Sequence, residues 1–436
     1  MFRKWTYFDY MSNFYSKVGH VTFICPVFGH HLKHVQFLIN FWTYCFYMSS
    51  FLLLLQHVQK KPKNWTYKTM GYDRNLPYNA LPLLPPMIEI ERDIDILRKL
   101  VSASRALATV NSSVLRLPNP FMLVNTIALQ EAKTSTEIEN IFTTDDELYK
   151  AISDTIQEKN ANTATKEVLR YREAMWEGHR LINEQNRIDR DCIISIFRQV
   201  KNAAGGFRSP QSQTMIKRGQ SEFRSGETIY TPPRGVGLIE KLVDNWLDYI
   251  NDDEKYPLDP LLKMCVSHYQ FEAIHPFQDG NGRTGRILNL LYLVNKGLLA
   301  QPTLYLSKYI ILHKDDYYFT LGAVTQRGSW KEWILFMLDA VENTSLLTNN
   351  LINEIVNQMN ATLEYGKSKL KWYNKEINEL IFSQPYLKPR MLIRRSSRTT
   401  LARYMNDLMN AKILVSQKDG KEVYYLNQDL IRILEG

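Results

Sequence analysis

Cysteine is scarce in this chain of 436 residues. The four cysteines stand far apart, at Cys25, Cys45, Cys192 and Cys265, which excludes a CxxC zinc pattern and a disulfide framework and favours a cytoplasmic protein. The sequence also lacks the alternating strand and helix patterns of a parallel α/β fold. Hydrophobic residues are not scarce: at 44%, with 23% charged residues, the composition excludes a disordered or fibrous bulk. A chain of this length is expected to form two or three domains.

Acidic residues are nearly absent from the first 70 residues, where Asp9 is the single acid beside eight lysines and arginines. The other 366 residues hold 46 basic and 44 acidic side chains, so most of the net charge of +9 belongs to this N-terminal stretch. The distribution excludes a basic, nucleic-acid-binding surface over the whole molecule.

The N-terminal stretch, residues 1–70, is an aromatic and basic extension that differs from the rest of the chain. It contains 18 of the 52 aromatic residues, and residues 35–55 form a run of 21 without a charge. Such a run can span a bilayer, and Lys60, Lys61 and Lys63 follow it directly. Two interpretations stay open: a single-pass membrane anchor, or a start that is not native, with the natural start further along, for example at Met70.

The remaining sequence is typical of a mainly α protein. Four prolines within residues 75–86 predict an extended arm, and apolar residues then recur at helical spacing. Glycine and proline break this pattern over residues 204–233, where a strand candidate at Glu227–Thr231 predicts a β-hairpin flap. After the extension we predict an N-terminal helical region (71–200), a helical core with the flap (201–345), and a linker helix with a small C-terminal domain (346–436).

The C-terminal domain has the pattern of a winged helix-turn-helix. Helices are predicted at Lys375–Phe382 and Ser397–Ala411, followed by two short strands around the hairpin turn Asp419-Gly420. Residues 371–436 carry 12 basic and 7 acidic side chains, so either DNA binding or a protein-contact or dimerisation role is open. The arginines that could contact DNA are Arg394, Arg395, Arg398 and Arg403.

The segment 275–286, HPFQDGNGRTGR, contains the most informative motif of the chain. It includes a GxGxxG string at Gly280, Gly282 and Gly285, but a helix pattern precedes it and no acid follows at the required distance, which excludes a dinucleotide fingerprint. Gly280 and Gly282 permit a turn whose N–H groups face inward as an anion nest, next to the start of a helix. Arg283 and Arg286 share one face of that helix and suit a di- or triphosphate.

Two further residues give this loop its chemistry. Asp279 supplies a carboxylate beside the phosphate site, which suits a Mg²⁺ ligand. His275 stands at the start of the loop, where a neutral imidazole can act as general base. Because an acid, an imidazole, two glycines and two arginines converge within twelve residues, we expect a phosphate-handling active site.

The string HPFQDGNGRTGR resembles the Fic motif, HPFx(D/E)GNGRxxR, at every defined position. The resemblance extends over residues 72–345 and includes the flanks HYQFEA and ILNLLYLVNKGLL and the flap string IYTPP. It implies a Fic-type helical bundle and a nucleotidyltransferase that moves AMP from ATP to a Ser, Thr or Tyr hydroxyl of a target protein. The target, which could be the protein itself, is not identified by the sequence. Reverse removal of AMP and a homodimer are also open.

The resemblance assigns roles residue by residue. His275 would be the base, Asp279 would hold Mg²⁺, and Arg286 would bind the γ-phosphate. The remaining expected ATP-binding residues are Gly280, Asn281, Gly282, Arg283, Thr284, Gly285, Tyr317 and Tyr318, where the two tyrosines are either adenine-side contacts or ordinary core aromatics. The expected target-docking flap residues are Thr228, Ile229, Tyr230 and Thr231, which would add a strand of the target to the flap.

A second family pattern lies far upstream. Residues 135–140, STEIEN, match the inhibitory pattern (S/T)xxxE(G/N). In the family this glutamate, here Glu139, pairs with the second motif arginine, here Arg286, so the resemblance implies an autoinhibited enzyme with Ser135 and Glu139 as inhibitory residues. The alternative function is a DNA-binding regulator in which the winged helix acts and the Fic fold senses nucleotide.

Overall fold

The structure, a computed structural model, describes residues 72–115, 117, 120–153, 155–218, 226–392 and 398–435. The extension of residues 1–70, with the possible anchor at 35–55, lies outside the described residues. In the part of the chain that is described, no helix is both long and apolar enough to cross a membrane.

The N-terminal half is helical, as predicted. An arm of residues 72–86 without a helix lies over a core helix, where Asn245 exchanges hydrogen bonds with the backbone of Leu84, 2.7 Å from the amide and 3.1 Å from the carbonyl. After a 3-10 turn at Ile90–Arg92, six helices follow: α1 (Ile94–Leu115), α2 (Pro120–Ile138), α3 (Asp145–Ser153), α4 (Thr155–Asn160), α5 (Thr163–Gln185) and α6 (Arg190–Lys201).

The predicted flap is a two-stranded antiparallel hairpin in which β1 (Ile216–Arg218) pairs with β2 (Glu227–Tyr230). Five helices then build the core and the first part of the C-terminal half: α7 (Leu238–Asn251), α8 (Pro260–Ile274), α9 (Asn281–Asn295), α10 (Leu306–Leu312) and α11 (Lys314–Arg327). The mainly α fold class is therefore confirmed.

The hairpin of α8 and α9 forms the centre of the core and carries the motif between its helices. Every residue of α8 from Leu261 to Ile274 is buried, because neighbouring helices surround it on all sides. Asp259 starts α8 by accepting a hydrogen bond from the amide of Leu261 at 2.8 Å, and Pro260 occupies the first turn. The rigid packing of α8 and α9 fixes the two ends of the loop 275–280.

The long helix α12 (Trp330–Lys369) crosses the domain boundary that the sequence analysis placed between residues 345 and 346. It runs through residue 346 without a break, because no proline and no glycine before Gly366 interrupts its helical periodicity. It packs lengthwise on α1, where Lys99 forms ion pairs with Asp339 at 2.5 Å and Glu342 at 2.9 Å. Residues 71–436 accordingly form one compact unit.

The C-terminal domain is a winged helix, as predicted, with helix and strand ends within two residues of the expected ones. Its elements are α13 (Lys375–Ile381), β3 (Tyr386–Leu387), α14 (Pro389–Leu392), α15 (Arg398–Asn410), β4 (Val415–Asp419), β5 (Glu422–Leu426) and α16 (Gln428–Glu435). The antiparallel sheet has the order β3-β5-β4. Its wing is tied to α3, since Asp419 at the end of β4 pairs with Lys150 at 2.7 Å.

A close approach of three helices depends on Gly178 of α5. A Cβ atom at this position would lie 2.4 Å from Cδ1 of Leu291 on α9 and 2.9 Å from Cδ1 of Ile196 on α6. Since real Cβ atoms essentially never come this close to another heavy atom, glycine lets α5 approach the helix that carries the two motif arginines.

We predict that Gly178→Val destabilises the fold. Overpacking of a filled core costs ~1–3 kcal/mol, which exceeds the helix-propensity gain on replacing glycine. Urea unfolding should show a lower midpoint with an unchanged slope. Gly322→Val on α11 is the matched control, because the nearest atom to a Cβ there, Nε2 of Gln326, is 3.6 Å away. Equal stability of the two variants would contradict this account of the α5 packing.

Candidate active site

The loop between α8 and α9 is fixed in shape by its own residues. His275 ends α8 with a left-handed backbone (φ 50°), and Gly280 precedes α9 with φ 79°. The side chain of Asn281 accepts a hydrogen bond from the amide of Phe277 and donates one to its carbonyl, both at 2.8 Å. The buried ring of Phe277 stacks on Phe197 with ring centroids 4.0 Å apart. This role of the Asn281 side chain in shaping the loop was not predictable from the motif.

His275 is a half-buried imidazole at the start of the loop. Burial, together with the nearby positive charge of Arg208, lowers the pKa of His275 to about 4. The imidazole is therefore neutral at neutral pH, which is the state that can accept a proton. Its Nδ1 atom is buried and has no hydrogen-bond partner among the described residues.

The carboxylate of Glu139 lies against Gly282 at the start of α9. A Cβ atom at Gly282 would lie 2.5 Å from Oε1 of Glu139, so only glycine leaves room for this oxygen. The same oxygen accepts a hydrogen bond from Arg286 at 2.7 Å. Burial alone would raise the pKa of Glu139, but the charge and hydrogen bond of Arg286 outweigh it, and the pKa is lowered.

Arg286 is held by both residues of the upstream pattern. Its guanidinium, 1% exposed, also donates from Nε to Oγ of Ser135 at 2.7 Å and from Nη2 to the Ser135 carbonyl at 2.9 Å. The residue after Glu139, Asn140, adopts φ 62°, a left-handed conformation that glycine and asparagine tolerate best. The end of α2 therefore brings Ser135, Glu139 and Arg286 together.

The other motif arginine, Arg283, has an acidic partner that the sequence did not predict. Its Nη1 atom lies 2.5 Å from Oε2 of Glu167 on α5, and the two side chains are 3% and 20% exposed. Both motif arginines are thus neutralised by acids of the N-terminal helices. A single glutamate inside a helical pattern gave no local signal of this contact.

Asp279 points outward beside the nest, with its side chain 69% exposed. Oδ1 accepts a hydrogen bond from the amide of Gly280 and Oδ2 pairs with Lys201, both at 2.6 Å. Partial desolvation by the surrounding loop would raise the pKa of Asp279, but the hydrogen bond and charge of Lys201 outweigh it, so the pKa is lowered. A single exposed carboxylate next to a phosphate site fits Mg²⁺, which takes one or two carboxylates and completes its shell with phosphate and water oxygens. The described residues contain no cluster of three or more metal-ligating side chains.

Two expected ATP-binding positions do not present a side chain to the nest. Thr284 is fully buried, and its hydroxyl donates back to the carbonyl of Gly280 at 2.9 Å. A Cβ atom at Gly285 would lie 2.4 Å from Oε1 of Glu272, so this glycine permits the close packing of α9 on α8. Both residues shape the helix start from within the core.

The two tyrosines expected near adenine differ in exposure. Tyr317 is 2% exposed, and its hydroxyl lies 2.9 Å from Nε2 of His268 within an aromatic cluster that includes Trp333. Tyr318 is 36% exposed and packs edge-on against Tyr317. The geometry favours the core-aromatic alternative for Tyr317 and leaves Tyr318 with an exposed surface.

The flap residues are held against the arm and against α8. In β2 and just after it, the hydroxyl of Tyr230 donates to the carbonyl of Ala273 at 2.7 Å, and Thr231 donates to the carbonyl of Arg74 at 2.7 Å. Tyr72 of the arm donates to the carbonyl of Ile229 at 3.2 Å. Thr228 of the same strand is half-buried, and its hydroxyl lies 3.9 Å from the sulfur of Met215. The arm and the helix end together fix the base of the flap.

One buried acid behind the nest, Glu272, has no predicted role. It is 9% exposed, and its Oε1 atom has no hydrogen-bond partner among the described residues. Burial raises its pKa to about 7, against an ordinary value of 4.5, although Arg286 acts in the opposite direction.

Comparison with known families gives three successive matches along the chain. They are the Fic/DOC family N-terminal model (residues 97–180), the Fic/DOC family model (188–293) and the model of the protein adenylyltransferase SoFic-like C-terminal domain (358–430). The matches include α5 with Glu167, the loop 275–280, and the winged helix.

The chain is also similar to curated proteins and to solved structures. It is 25% identical over 201 residues to the protein adenylyltransferase fic-1 of Caenorhabditis elegans, which covers 46% of this chain and 36% of that protein. It is 30% identical over 183 residues to the probable protein adenylyltransferase aq_aa38 of Aquifex aeolicus, covering 42% and 52%. The crystal structure of a Fic family protein from Desulfovibrio desulfuricans aligns with a TM-score of 0.47 at 20% identity, over 79% of this chain and 98% of that one.

We predict that Glu272→Gln stabilises the protein at high pH and not at low pH. Because the folded pKa of Glu272 lies above its unfolded value, its stabilising contribution is present below the unfolded pKa and is lost as pH rises through about 7. An amide does not titrate, so the variant avoids this loss. Thermal unfolding of both proteins from about pH 5 to about pH 8 should give a difference that grows with pH. Glu254→Gln, at an exposed position, controls for the lost charge; a difference at Glu272 that does not change with pH would contradict the prediction.

Proposed function

Because the chain belongs to the Fic/DOC family, we propose that it is a protein adenylyltransferase, which transfers AMP from ATP to a Ser, Thr or Tyr hydroxyl of a target protein. The chain spans about a third of the C. elegans relative and about half of the Aquifex relative. The proposal therefore depends on the chemistry of this chain's own residues as well as on the likeness.

One observation carries the proposal: a carboxylate lies against Gly282 at the start of α9, on the arginine expected to bind phosphate. Oε1 of Glu139 is held there by Arg286, against the glycine that leaves it space. A site that holds a carboxylate can hold a phosphate oxygen, since both are anions that accept hydrogen bonds from N–H groups and guanidinium groups. Glu139 thus stands where a phosphate of the nucleotide would bind.

The reaction needs a base next to the α-phosphate, and His275 supplies it. Its neutral imidazole takes the proton of the target hydroxyl as the hydroxyl oxygen bonds to the α-phosphorus. The bond from this phosphorus to the oxygen that bridges to the β-phosphate breaks, and pyrophosphate leaves. The products are the AMP ester of the target, pyrophosphate and a proton. Removal of AMP from the target would need an attacking group for the α-phosphorus, either pyrophosphate in the reverse of this step or water in a hydrolysis.

The nucleotide would be held by the start of α9 and by the motif arginines. The backbone amides of Asn281 and Gly282 and the dipole of α9 would face the phosphates, and the amide of Gly280 would join them once it released Oδ1 of Asp279. Arg286 would bind the γ-phosphate once Glu139 has left it. Mg²⁺ on Asp279 would neutralise phosphate charge, and Lys201 would have to release that carboxylate. The exposed face of Tyr318 is available to the base of the nucleotide.

The target segment would bind along the flap residues 228–231. The flap hairpin has only two strands, so a strand edge that is not paired within it could form backbone hydrogen bonds with an extended segment. The target could be another protein or a second copy of this chain, including a homodimer partner.

The same geometry supports autoinhibition by Glu139. Its carboxylate and the γ-phosphate are both anions that require Arg286, so they compete for one site. ATP bound without this arginine would lack the pose in which the α-phosphorus is in line with the target hydroxyl. The alternative, DNA binding by the winged helix, stays a prediction, and two of its four arginines, Arg394 and Arg395, lie outside the described residues.

We predict that His275→Ala lowers AMP transfer by ~10²–10⁴-fold, the usual contribution of a general base. ATP binding should stay close to that of the parent, because the base does not hold the nucleotide. The measurement is incorporation of label from α-labelled ATP, beside calorimetric titration with ATP. His179→Ala on α5 is the control for loss of an imidazole. Near-normal transfer by His275→Ala would remove the role assigned to this residue.

We predict that Glu139→Gly raises AMP transfer to the protein itself or to lysate protein by ~5–150-fold. This factor corresponds to the coupling free energy that typically links two binding events. The variant should also be less stable without ATP, because truncating one partner of a buried ion pair costs ~3–5 kcal/mol. ATP should restore part of that stability by mass action. Intact-mass and label-incorporation measurements report the transfer, and thermal unfolding with and without ATP reports the stability.

Two controls separate inhibition from a general effect of glycine in α2. Glu137→Gly introduces glycine into the last turn of α2, just before Glu139, and leaves the contact between Glu139 and Arg286 in place, so its transfer rate should equal that of the parent. Arg286→Ala removes the shared partner, so Glu139→Gly combined with Arg286→Ala should be as inactive as Arg286→Ala alone. A Glu139→Gly variant no faster than the parent would end the autoinhibition proposal.

A further inference from the structure

Arg208, in the segment between α6 and the flap, is a buried cation without a carboxylate partner among the described residues. Its side chain is 5% exposed, although an arginine is rarely buried unless it is paired. Its side-chain hydrogen bonds to described residues go to backbone carbonyls instead. Such a residue needs a structural explanation, because desolvation of a guanidinium is costly.

The contacts of Arg208 converge on the end of α8 and the start of the catalytic loop. Nε donates to the carbonyl of His275 at 2.8 Å, Nη2 donates to the carbonyl of Ile274 at 3.2 Å, and the backbone amide donates to the carbonyl of Pro276 at 2.9 Å. Carbonyls at a helix C-terminus lack helical partners and form the negative end of the helix dipole. Arg208 therefore supplies both the missing donors and a compensating charge.

This clamp explains how His275 keeps its unusual backbone. A residue other than glycine in a left-handed conformation costs ~1–3 kcal/mol and persists only where its surroundings fix it. Arg208 donates hydrogen bonds to the carbonyls of Ile274, His275 and Pro276, that is, to His275 with its φ of 50° and to both of its neighbours. Without these bonds the loop could relax and carry the imidazole away from its position.

The same guanidinium also reaches the flap. Nη2 of Arg208 donates to the carbonyl of Pro233, which follows β2 by three residues. A second cross-link runs in parallel, from the hydroxyl of Tyr230 to the carbonyl of Ala273. Arg208 therefore joins the flap, which would hold the target, to His275, which would take the proton of the target.

We propose that Arg208 is a positioning residue that fixes His275 and the flap in one geometry, so that a hydroxyl docked on the flap meets the imidazole. This inference goes beyond the proposed transferase function and depends on it for its kinetic consequence. Arg208 would touch neither nucleotide nor target, and would act only through His275 and the flap backbone.

The positive charge of Arg208 adds an electrostatic effect that can be measured separately. The charged and titratable groups around His275 are Arg208, which lowers its pKa, and Glu139 and Asp279, which raise it. The carboxyl of Glu272 lies one turn earlier on α8. Since Arg208 is the cation among them, neutralising it should move the pKa of His275 from about 4 toward the ordinary 6.5.

Two substitutions separate the geometry from the charge. Arg208→Lys keeps the charge but cannot donate to the carbonyls of His275 and Pro233 through a planar fork. Arg208→Gln keeps a donor and removes the charge. Arg234→Gln, at a half-exposed position next to Pro233, is the matched control for the loss of one charge near the flap. Each is made in the full chain with Glu139→Gly, so that transfer is measurable.

The expected result is a fall in kcat of ~10–100-fold for both Arg208 variants, the usual effect of removing a residue that orients a catalytic group. ATP binding by calorimetry should be unchanged. NMR titration of the His275 ring should give a raised pKa in Arg208→Gln and a pKa close to that of the parent in Arg208→Lys. The acid limb of the pH profile for kcat should move to higher pH in Arg208→Gln only. Arg234→Gln should match the parent.

Three results would overturn the proposal. The first is an unchanged kcat in either folded Arg208 variant. The second is a parallel loss of ATP binding, transfer and thermal stability, or failure of both variants to fold, either of which would make Arg208 a residue of the general fold. The third is an unchanged His275 pKa in Arg208→Gln, which would remove the charge effect. The NMR measurement needs no turnover, so absence of AMP transfer in the Glu139→Gly parent would count against the transferase function alone.

Discussion

The burial of Arg286 is the constraint on which the site and its surroundings depend. A guanidinium that is 1% exposed in a helical core would be prohibitive without an acid and further acceptors. Burial alone would lower the pKa of Arg286, but Glu139 reverses this effect, and the pKa is raised. Ser135 completes the shell, so the end of α2 must lie against α9. The N-terminal helices and the motif helix consequently share one folding unit.

Under the proposed autoinhibition, stability and inhibition would be two consequences of one ion pair. The contact that neutralises Arg286 in the empty protein also fills the space that a phosphate would need. A nucleotide can bind productively only to the extent that its own interaction with Arg286 replaces that of Glu139, and by linkage the two effects are reciprocal. In such a site the ion pair of Glu139 with Arg286 would stabilise the protein without nucleotide, and the same ion pair would restrain AMP transfer.

The sequence was informative where the chemistry was contiguous or periodic. The motif 275–286, the pattern ending at Glu139, and the helices and hairpin of the winged domain all have short-range patterns, and each was predictable. Glu167, Lys201 and Arg208 were not, because each acts across more than 60 positions of sequence through a single side chain in an ordinary setting. The helix α12 continues through residue 346, where a domain boundary was expected, and its helical periodicity is the same on both sides of that residue.

The charges of the loop show what a nucleotide must exchange on binding. Asp279, Arg283 and Arg286 are each paired with one side chain from another helix: Lys201, Glu167 and Glu139. Two carboxylates thus stand opposite the groups that would bind phosphate, and an ammonium stands opposite the group that would bind Mg²⁺. A magnesium–nucleotide complex carries the same pattern of charge, with anionic oxygens around a cation. Binding therefore exchanges one set of ion pairs for another of like sign, so the core need not bury an unpaired charge at any stage.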